Sequence, residues 1–305
     1  MDASQPINDG DGDGREHCRL LEEGQVLSFP QLPFALQDDE RAFLLAQQLA
    51  GHHKNIAYTP QRDRVTGFVE CHPGDGERLR AIMRAYSQRV TDFLAALLPL
   101  YARSWRVDYA SFRPQEEEGR RLPLRARNDL LHTDAFPSRP TNGDRILRVF
   151  TNIHPSQARR WVTTDTFDVL VTRFAGSPAL PLPKPKQLRR WIIRAARAVG
   201  VPIVQRSPYD AFMLRFHNYL KENHEFQATC RKQVWEFPPN STWIVFTDLV
   251  PHAALSGRYA LEQTYIVSRH ALILPERAPL GILENLCGAR LTIPERCAPR
   301  NTGRR

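Results

Sequence analysis

The 305 residues carry a formal net charge of +9 and are 42% hydrophobic and 25% charged, an ordinary balance for a globular chain long enough for one large domain or two small ones. No run of eighteen apolar residues occurs, which excludes a membrane-spanning helix. The excess of positive charge fits a polyanionic partner, whether nucleic acid, a phospholipid surface or a phosphorylated glycan, and composition alone does not separate these.

Residues 1–17 are polar and acidic, and read as a disordered tail rather than a secretory leader. Within them, Asp9-Gly10-Asp11-Gly12-Asp13-Gly14 imitates a calcium loop, but the twelfth position is Leu20, where a bidentate Glu is required. Five cysteines at 18, 71, 230, 287 and 297 show no C-x-x-C spacing and read as reduced thiols in the cytoplasm. Pro30 and Pro33 keep the next stretch extended and irregular. Asp38-Asp39-Glu40 opens a short helix. A longer helix is predicted from Asp75 to Leu98, because Leu79, Ile82, Met83, Tyr86, Val90, Phe93, Leu94 and Leu97 repeat at helical spacing. Pro99 to Pro114 reads as a strand region, and Ile146 to Ile153 as a buried strand.

From about 155 to 229 the pattern turns helical. A Pro-rich linker (Pro178 to Pro185) leads to a helix from Lys186 to Val199, with Arg190, Arg194 and Arg197 on one face, and a second helix covers Tyr209 to Gln227. Strands resume at Gln233–Phe237, Thr242–Phe246 and Tyr259–Val267, and residues 296–305 form a loose tail. Residues 18–295 are therefore expected to form a single α+β domain. Its core would be a double-stranded β-helix (a cupin-like jelly roll) with flanking helices and a helical insertion.

The chemistry centres on Leu131-His132-Thr133-Asp134-Ala135. In an extended chain, side chains at i and i+2 point the same way, so His132 and Asp134 can meet one metal ion. His252, ending the apolar run Trp243 to Pro251, is the expected third ligand. Two His and one carboxylate form the facial triad of non-haem Fe(II) oxygenases, which leaves coordination positions open. The bland alternative is a His and an Asp on a polar loop. His217 and His224, inside the insertion, compete for the third position, but neither is followed by a strand and an Arg. Asn240 sets a tight turn, the strand that follows delivers His252 at its end, and Ser256-Gly257 turns into Arg258, at the start of the next strand, whose planar fork suits a carboxylate.

His132, Asp134, His252 and Arg258-Tyr259-Ala260-Leu261 resemble the diagnostic features of the Fe(II)/2-oxoglutarate-dependent dioxygenases. A narrower resemblance extends from about Leu20 to Leu291. Leu20 to Pro30, Lys54-Asn55-Ile56, His132 to Pro140 and Arg148 to Ile153 look like the bacterial hydroxylases of 3-deoxy-D-manno-oct-2-ulosonic acid (Kdo). That resemblance implies Fe(II) on His132, Asp134 and His252, with 2-oxoglutarate and O2 as co-substrates. It implies Arg258 on the C5 carboxylate, and Asn152 and Arg148 near co-substrate or sugar. It further implies hydroxylation at C3 of Kdo in a Kdo-containing lipid A precursor to give Ko, succinate and CO2. Such an enzyme would be cytoplasmic, with the Arg190/Arg194/Arg197 face either solvated or resting on the anionic inner-membrane surface. The rivals are a 2-oxoglutarate hydroxylase of another small molecule or protein, a basic jelly-roll binding module, and a zinc hydrolase that would leave Arg258 without a task. Nucleic acid is not expected, since RNA binding favours exposed aromatics among basic residues and only Trp161 after Arg159-Arg160 hints at this.

Overall fold

Strands of three to nine residues, rich in β-branched and aromatic side chains, build two antiparallel sheets. The computed structural model describes residues 14–51, 53–183 and 206–294. The larger sheet contains β1 (Leu27–Phe29), β2 (Ile56–Thr59), β3 (Arg64–Thr66), β4 (Trp105–Arg113), β5 (Arg145–Asn152), β8 (Thr242–Phe246) and β10 (Ala260–Val267), in the order β1-β8-β5-β10-β4-β2-β3. The smaller contains β6 (Arg159–Thr163), β7 (Gln233–Phe237) and β9 (His252–Ser256), in the order β7-β6-β9. His132 forms an isolated antiparallel bridge with His252, so the H-x-D segment acts as a fourth strand beside β9. From β4 onward the chain passes from one sheet to the other and back, with the helices inserted between β6 and β7. That winding is the double-stranded β-helix expected from the sequence.

The space between the sheets is filled by aromatic rings from both. Phe237 stacks on Trp243 at 3.9 Å between centroids, and Trp161 meets Phe150 edge-on at 4.6 Å. Helix α3 (Asp75–Leu97) buries Leu79, Ile82, Met83, Tyr86, Val90 and Leu94 against the larger sheet. Its Thr91 hydroxyl lies 2.9 Å from that of Tyr265 on β10.

Four expectations are corrected. Residues 14–17 belong to helix α1 (Gly14–Glu22) rather than to a tail. Leu21 and Cys18 are buried there, and Gly14 lies so close to Pro99 that a Cβ would meet the proline ring at 2.5 Å. Second, Arg159–Thr163 falls in the stretch expected to be helical, yet it is the central strand of the smaller sheet. Its adjacent arginines hid an alternation in which Arg159 is buried and Arg160 exposed. Third, the predicted helix 209–227 is two, α6 (Pro208–Glu222) and α7 (His224–Thr229), because Asn223 leaves the helical conformation and caps Phe226 at 3.0 Å. Fourth, His252 opens β9 rather than ending the strand that begins at Thr242. The helix expected over Lys186–Val199, with Arg190, Arg194 and Arg197, lies outside the described residues, as does the tail 296–305.

The link between β8 and β9 is held by a buried ion pair. Arg145 Nε and Nη2 donate to the two oxygens of Asp248 at 2.8 and 3.2 Å, with the guanidinium over the Phe246 ring. Removing one partner strands a charge in the core. Asp248→Ala is expected to cost roughly 3–5 kcal/mol, measured by denaturant unfolding; a loss below about 1 kcal/mol, typical of exposed pairs, would contradict the assignment.

Candidate metal centre and its cavity

Two reciprocal backbone hydrogen bonds set the centre. His132 N–H donates to the His252 carbonyl at 3.2 Å, and His252 N–H to that of His132 at 3.0 Å. Asp134 N–H donates to the Thr247 carbonyl at 2.8 Å. Directly paired residues project side chains to the same face, so both imidazoles and the Asp134 carboxylate converge. One ligand atom from each of His132, Asp134 and His252 lies within 4.8 Å of the others, and all three residues are buried.

The donor set fits a divalent cation. His132 Nδ1 contacts the Leu130 carbonyl at 2.6 Å and His252 Nδ1 that of Val250 at 3.0 Å. Each contact fixes the tautomer that leaves Nε2 with a lone pair for metal. Burial and the neighbouring Lys221, His252 and His217 hold His132 well below the usual imidazole pKa. Burial also lowers His252, against the attraction of Asp134. Burial is the largest influence on Asp134 and opposes its ionisation, but Arg148, His252, His132 and the Thr247 hydroxyl together outweigh it and keep the carboxyl below its ordinary range. Two neutral imidazoles and one carboxylate are the protonation states a metal requires. Asp134 Oδ2 is buried without a hydrogen bond, although Arg148 Nε lies 3.2 Å away.

Helices α6 and α7 satisfy the other edge of the H-x-D strand with side chains. Gln227 accepts from Leu131 N–H at 3.0 Å and donates to the Leu131 carbonyl at 2.9 Å. His217 Nδ1 contacts the Thr133 carbonyl at 2.6 Å. The segment is thus paired by β9 on one side and by two helical side chains on the other. His217 reaches within 4.9 Å of the His132 ring, between centroids, but lies outside the group of three; His224 is exposed and does not line the cavity.

A cavity of about 530 Å³ opens in front of the triad. Its sheet side carries Arg113, Arg148, Arg159 and Trp161, and α6 presents Leu214, His217, Asn218 and Lys221 at helical spacing. An alternating chain of buried charges runs along the sheet side. Asp134 meets Arg148 at 3.2 Å, Arg148 meets Glu262 at 3.2 Å and Glu262 meets Arg113 at 2.8 Å. Arg113 then meets Glu117 at 3.4 Å, and Glu117 meets Arg159 at 3.2 Å. Trp161, buried, stacks on the His252 ring at 5.1 Å, so it is no exposed platform for a nucleic-acid base.

Arg148 lines the cavity, whereas Arg258 and Asn152 do not. Arg258 is exposed, its Nε donating to the Pro114 carbonyl at 3.2 Å and its guanidinium lying over the Tyr259 ring. The turn that carries it includes left-handed Gly257 (φ 113°) and Tyr259 (φ 58°), so it is not the first residue of a strand. Asn152 is consumed structurally, donating to the carbonyls of Gln157 and Phe237 and accepting from His154 N–H. The buried arginine at the site is Arg159, whose Nη1 donates to the Gly257 carbonyl at 2.7 Å and whose Nε has no protein acceptor. A Cβ at Gly257 would meet Arg159 Cγ at 2.9 Å, which explains the glycine. The overlooked signals were the alternation Arg159, Trp161, Thr163 and the stripe Leu214, His217, Asn218, Lys221 opposite an aromatic stripe.

If Gln227 positions the ligand strand, Gln227→Ala weakens Co(II) binding to the metal-free protein by about tenfold, the lower end for outer partners of a metal site. A lower melting temperature with unchanged Co(II) affinity would make Gln227 merely structural.

The chain matches the model of the 3-deoxy-D-manno-oct-2-ulosonic acid (Kdo) hydroxylase family over residues 7–290. It is similar to the cobalt(II) complex of the Kdo hydroxylase KdoO, a non-heme Fe(II) alpha-ketoglutarate-dependent dioxygenase, at 35% identity and a TM-score of 0.82, covering 97% of each chain. The KdoO complex with alpha-ketoglutarate and Fe(III) gives 35% identity, 94% of this chain, 98% of that one and a TM-score of 0.80. The complex with succinate and Fe(III) gives 34% identity, 97% of each chain and a TM-score of 0.81. No curated protein sequence matches. With a match spanning nearly the whole chain and a cavity built around two histidines and an aspartate, this chain belongs to the Kdo hydroxylase family.

Proposed function

We propose that the chain is an Fe(II)/2-oxoglutarate-dependent dioxygenase that hydroxylates Kdo at C3, in the inner core of a lipid A-type glycolipid. The observation that carries this reading is the convergence of His132, Asp134 and His252 in a cationic cavity, within a chain that belongs to the family. The Nε2 atoms of His132 and His252 and the Asp134 carboxylate would hold the iron. When bound, iron with 2-oxoglutarate and O2 supplies the oxidation, one oxygen atom entering a C–H bond and the other entering succinate as CO2 leaves.

The remaining work is the chain's own. Arg148 keeps Asp134 ionised, and Trp161 holds the His252 ring in plane. Arg159, two strand positions from Trp161 on the same face, replaces Arg258 as the guanidinium for the far carboxylate of the co-substrate. The aromatic layer behind Trp161 closes the inner end of the cavity to water, which strengthens each of these charge interactions.

The test is anaerobic purification, addition of Fe(II), 2-oxoglutarate and a Kdo-bearing lipid A precursor, then exposure to O2. The expected result is succinate together with a 16 Da gain on the lipid, the mass of one oxygen atom, both lost in His132→Ala. Arg159→Lys raises the KM for 2-oxoglutarate by about tenfold, the scale of a lost bidentate contact, whereas Arg258→Ala leaves it within about twofold. The reverse ranking would restore Arg258. Succinate without a lipid product would keep the oxygenase and discard Kdo.

We propose further that the enzyme acts at the cytoplasmic face of the inner membrane, where the positive charge of Arg190, Arg194 and Arg197 would be drawn to anionic lipid. Among the described residues no helix is long and apolar enough to cross a membrane. Sedimentation with anionic vesicles should fall when all three arginines become Glu; unchanged sedimentation would end this assignment.

A further inference from the structure

The arginines of the cavity already have carboxylate partners. Arg113, Arg148 and Arg159 are matched by Glu117, Glu262 and Asp134, and Arg125 by Glu222. The two lysines differ. Lys221, only 3% exposed, donates from Nζ to the Arg125 carbonyl at 3.1 Å. Lys54, at the exposed rim, donates to the carbonyl of the next residue, Ala126. Both line the cavity, and neither has a carboxylate oxygen within the 4.0 Å of a salt bridge among the described residues.

Consecutive carbonyls of one short turn, Leu124–Ala126, therefore gather ammonium groups from two distant parts of the chain, the approach to β2 and helix α6. Each ammonium has three donors, of which the protein uses one. A buried ammonium without a counter-charge is costly, and burial lowers Lys221 to about 8 even with Asp134 attracting it. An anion entering the cavity would supply the counter-charge that its surroundings lack.

We infer that Lys221 and Lys54 form an oxyanion subsite for the acceptor, separate from the guanidinium that serves the co-substrate, and that it takes the sugar carboxylate. The inference rests on the proposed activity. In a 3-deoxy-2-ulosonic acid the C1 carboxylate is attached to C2, and C3 is the adjacent methylene. Anchoring the carboxylate on the α6 side of the cavity thus confines C3 within two bonds of the anchor and presents it to the metal centre. The subsite selects an acidic sugar over a neutral one and fixes which carbon is oxidised. A lipid phosphate is the other oxyanion of matching chemistry, and the experiment separates the two.

The test compares a Kdo-bearing lipid with its C1 carboxamide and with a dephosphorylated form. Binding is titrated without oxygen to protein loaded with Co(II) and 2-oxoglutarate, so turnover is not needed. The protein is expected to favour the carboxylate over the carboxamide by about tenfold to a hundredfold, the range for a hydrogen bond to a charged group. Lys221→Gln should lose that preference to within about twofold, Lys54→Gln should lose part of it, and Lys221→Arg should keep most of it. Removing the phosphates should leave the preference unchanged. Equal weakening of carboxylate and carboxamide in Lys221→Gln would make the lysine structural and overturn the inference. Dependence on the phosphate with indifference to the carboxamide would also overturn it. A preserved carboxylate preference in a protein that forms no hydroxylated lipid would leave the subsite standing and remove the proposed activity instead.

Discussion

The centre depends on one pair of backbone hydrogen bonds. His132 and His252 exchange N–H and C=O across the bridge between the H-x-D segment and β9, and Thr163 of β6 pairs with His252 on its other side. Because directly paired strand residues project to the same face, that register alone places two imidazoles side by side. A slip of one residue would turn His252 away from the cavity and replace it with Pro251 or Ala253. The buried Arg145–Asp248 pair, in the link that leads into β9, helps to pin this register.

Around the triad the protein neutralises charge by alternation. Asp134, Arg148, Glu262, Arg113, Glu117 and Arg159 follow one another along the sheet side, each within 3.4 Å of the next. Isolated, any of these buried groups would be unaffordable; in sequence each is desolvated beside an opposite charge. The arrangement fixes the protonation of Asp134 and leaves Arg159 at the far end, with one donor unused by the protein. The strands thus carry a compensated array, whereas Lys221 and Lys54, which line the same cavity, have no carboxylate partner among the described residues.

The helices between β6 and β7 give the scaffold its particular chemistry. Gln227 and His217 stand in for a neighbouring strand along the H-x-D segment, and the same α6 face supplies Asn218 and Lys221 to the cavity. One element, α6, therefore both braces the H-x-D segment and lines the cavity. This division suits the proposed activity: the strands carry the candidate metal ligands and the guanidinium groups, and the inserted helices would contact the substrate.

The sequence by itself determined the strands β4, β5, β7, β8 and β10, the long helix α3, the jelly-roll winding and the metal-ligand set. Each is written in a local pattern: period-two alternation, a helical stripe from Leu79 to Leu94, and two ligand residues at i and i+2. His252 was legible because an apolar run and a turn bracket it. Only the tertiary structure decided which arginine faces the cavity. Arg258 is carried outward by a left-handed turn and Asn152 is spent on backbone carbonyls, while Arg159 is buried because Glu117, distant in sequence, meets it. The same holds for Gln227, His217 and Lys221. A side chain that braces a remote backbone group, or a cation that lacks a partner, leaves no periodic trace, since its role is defined by what the folded chain brings beside it.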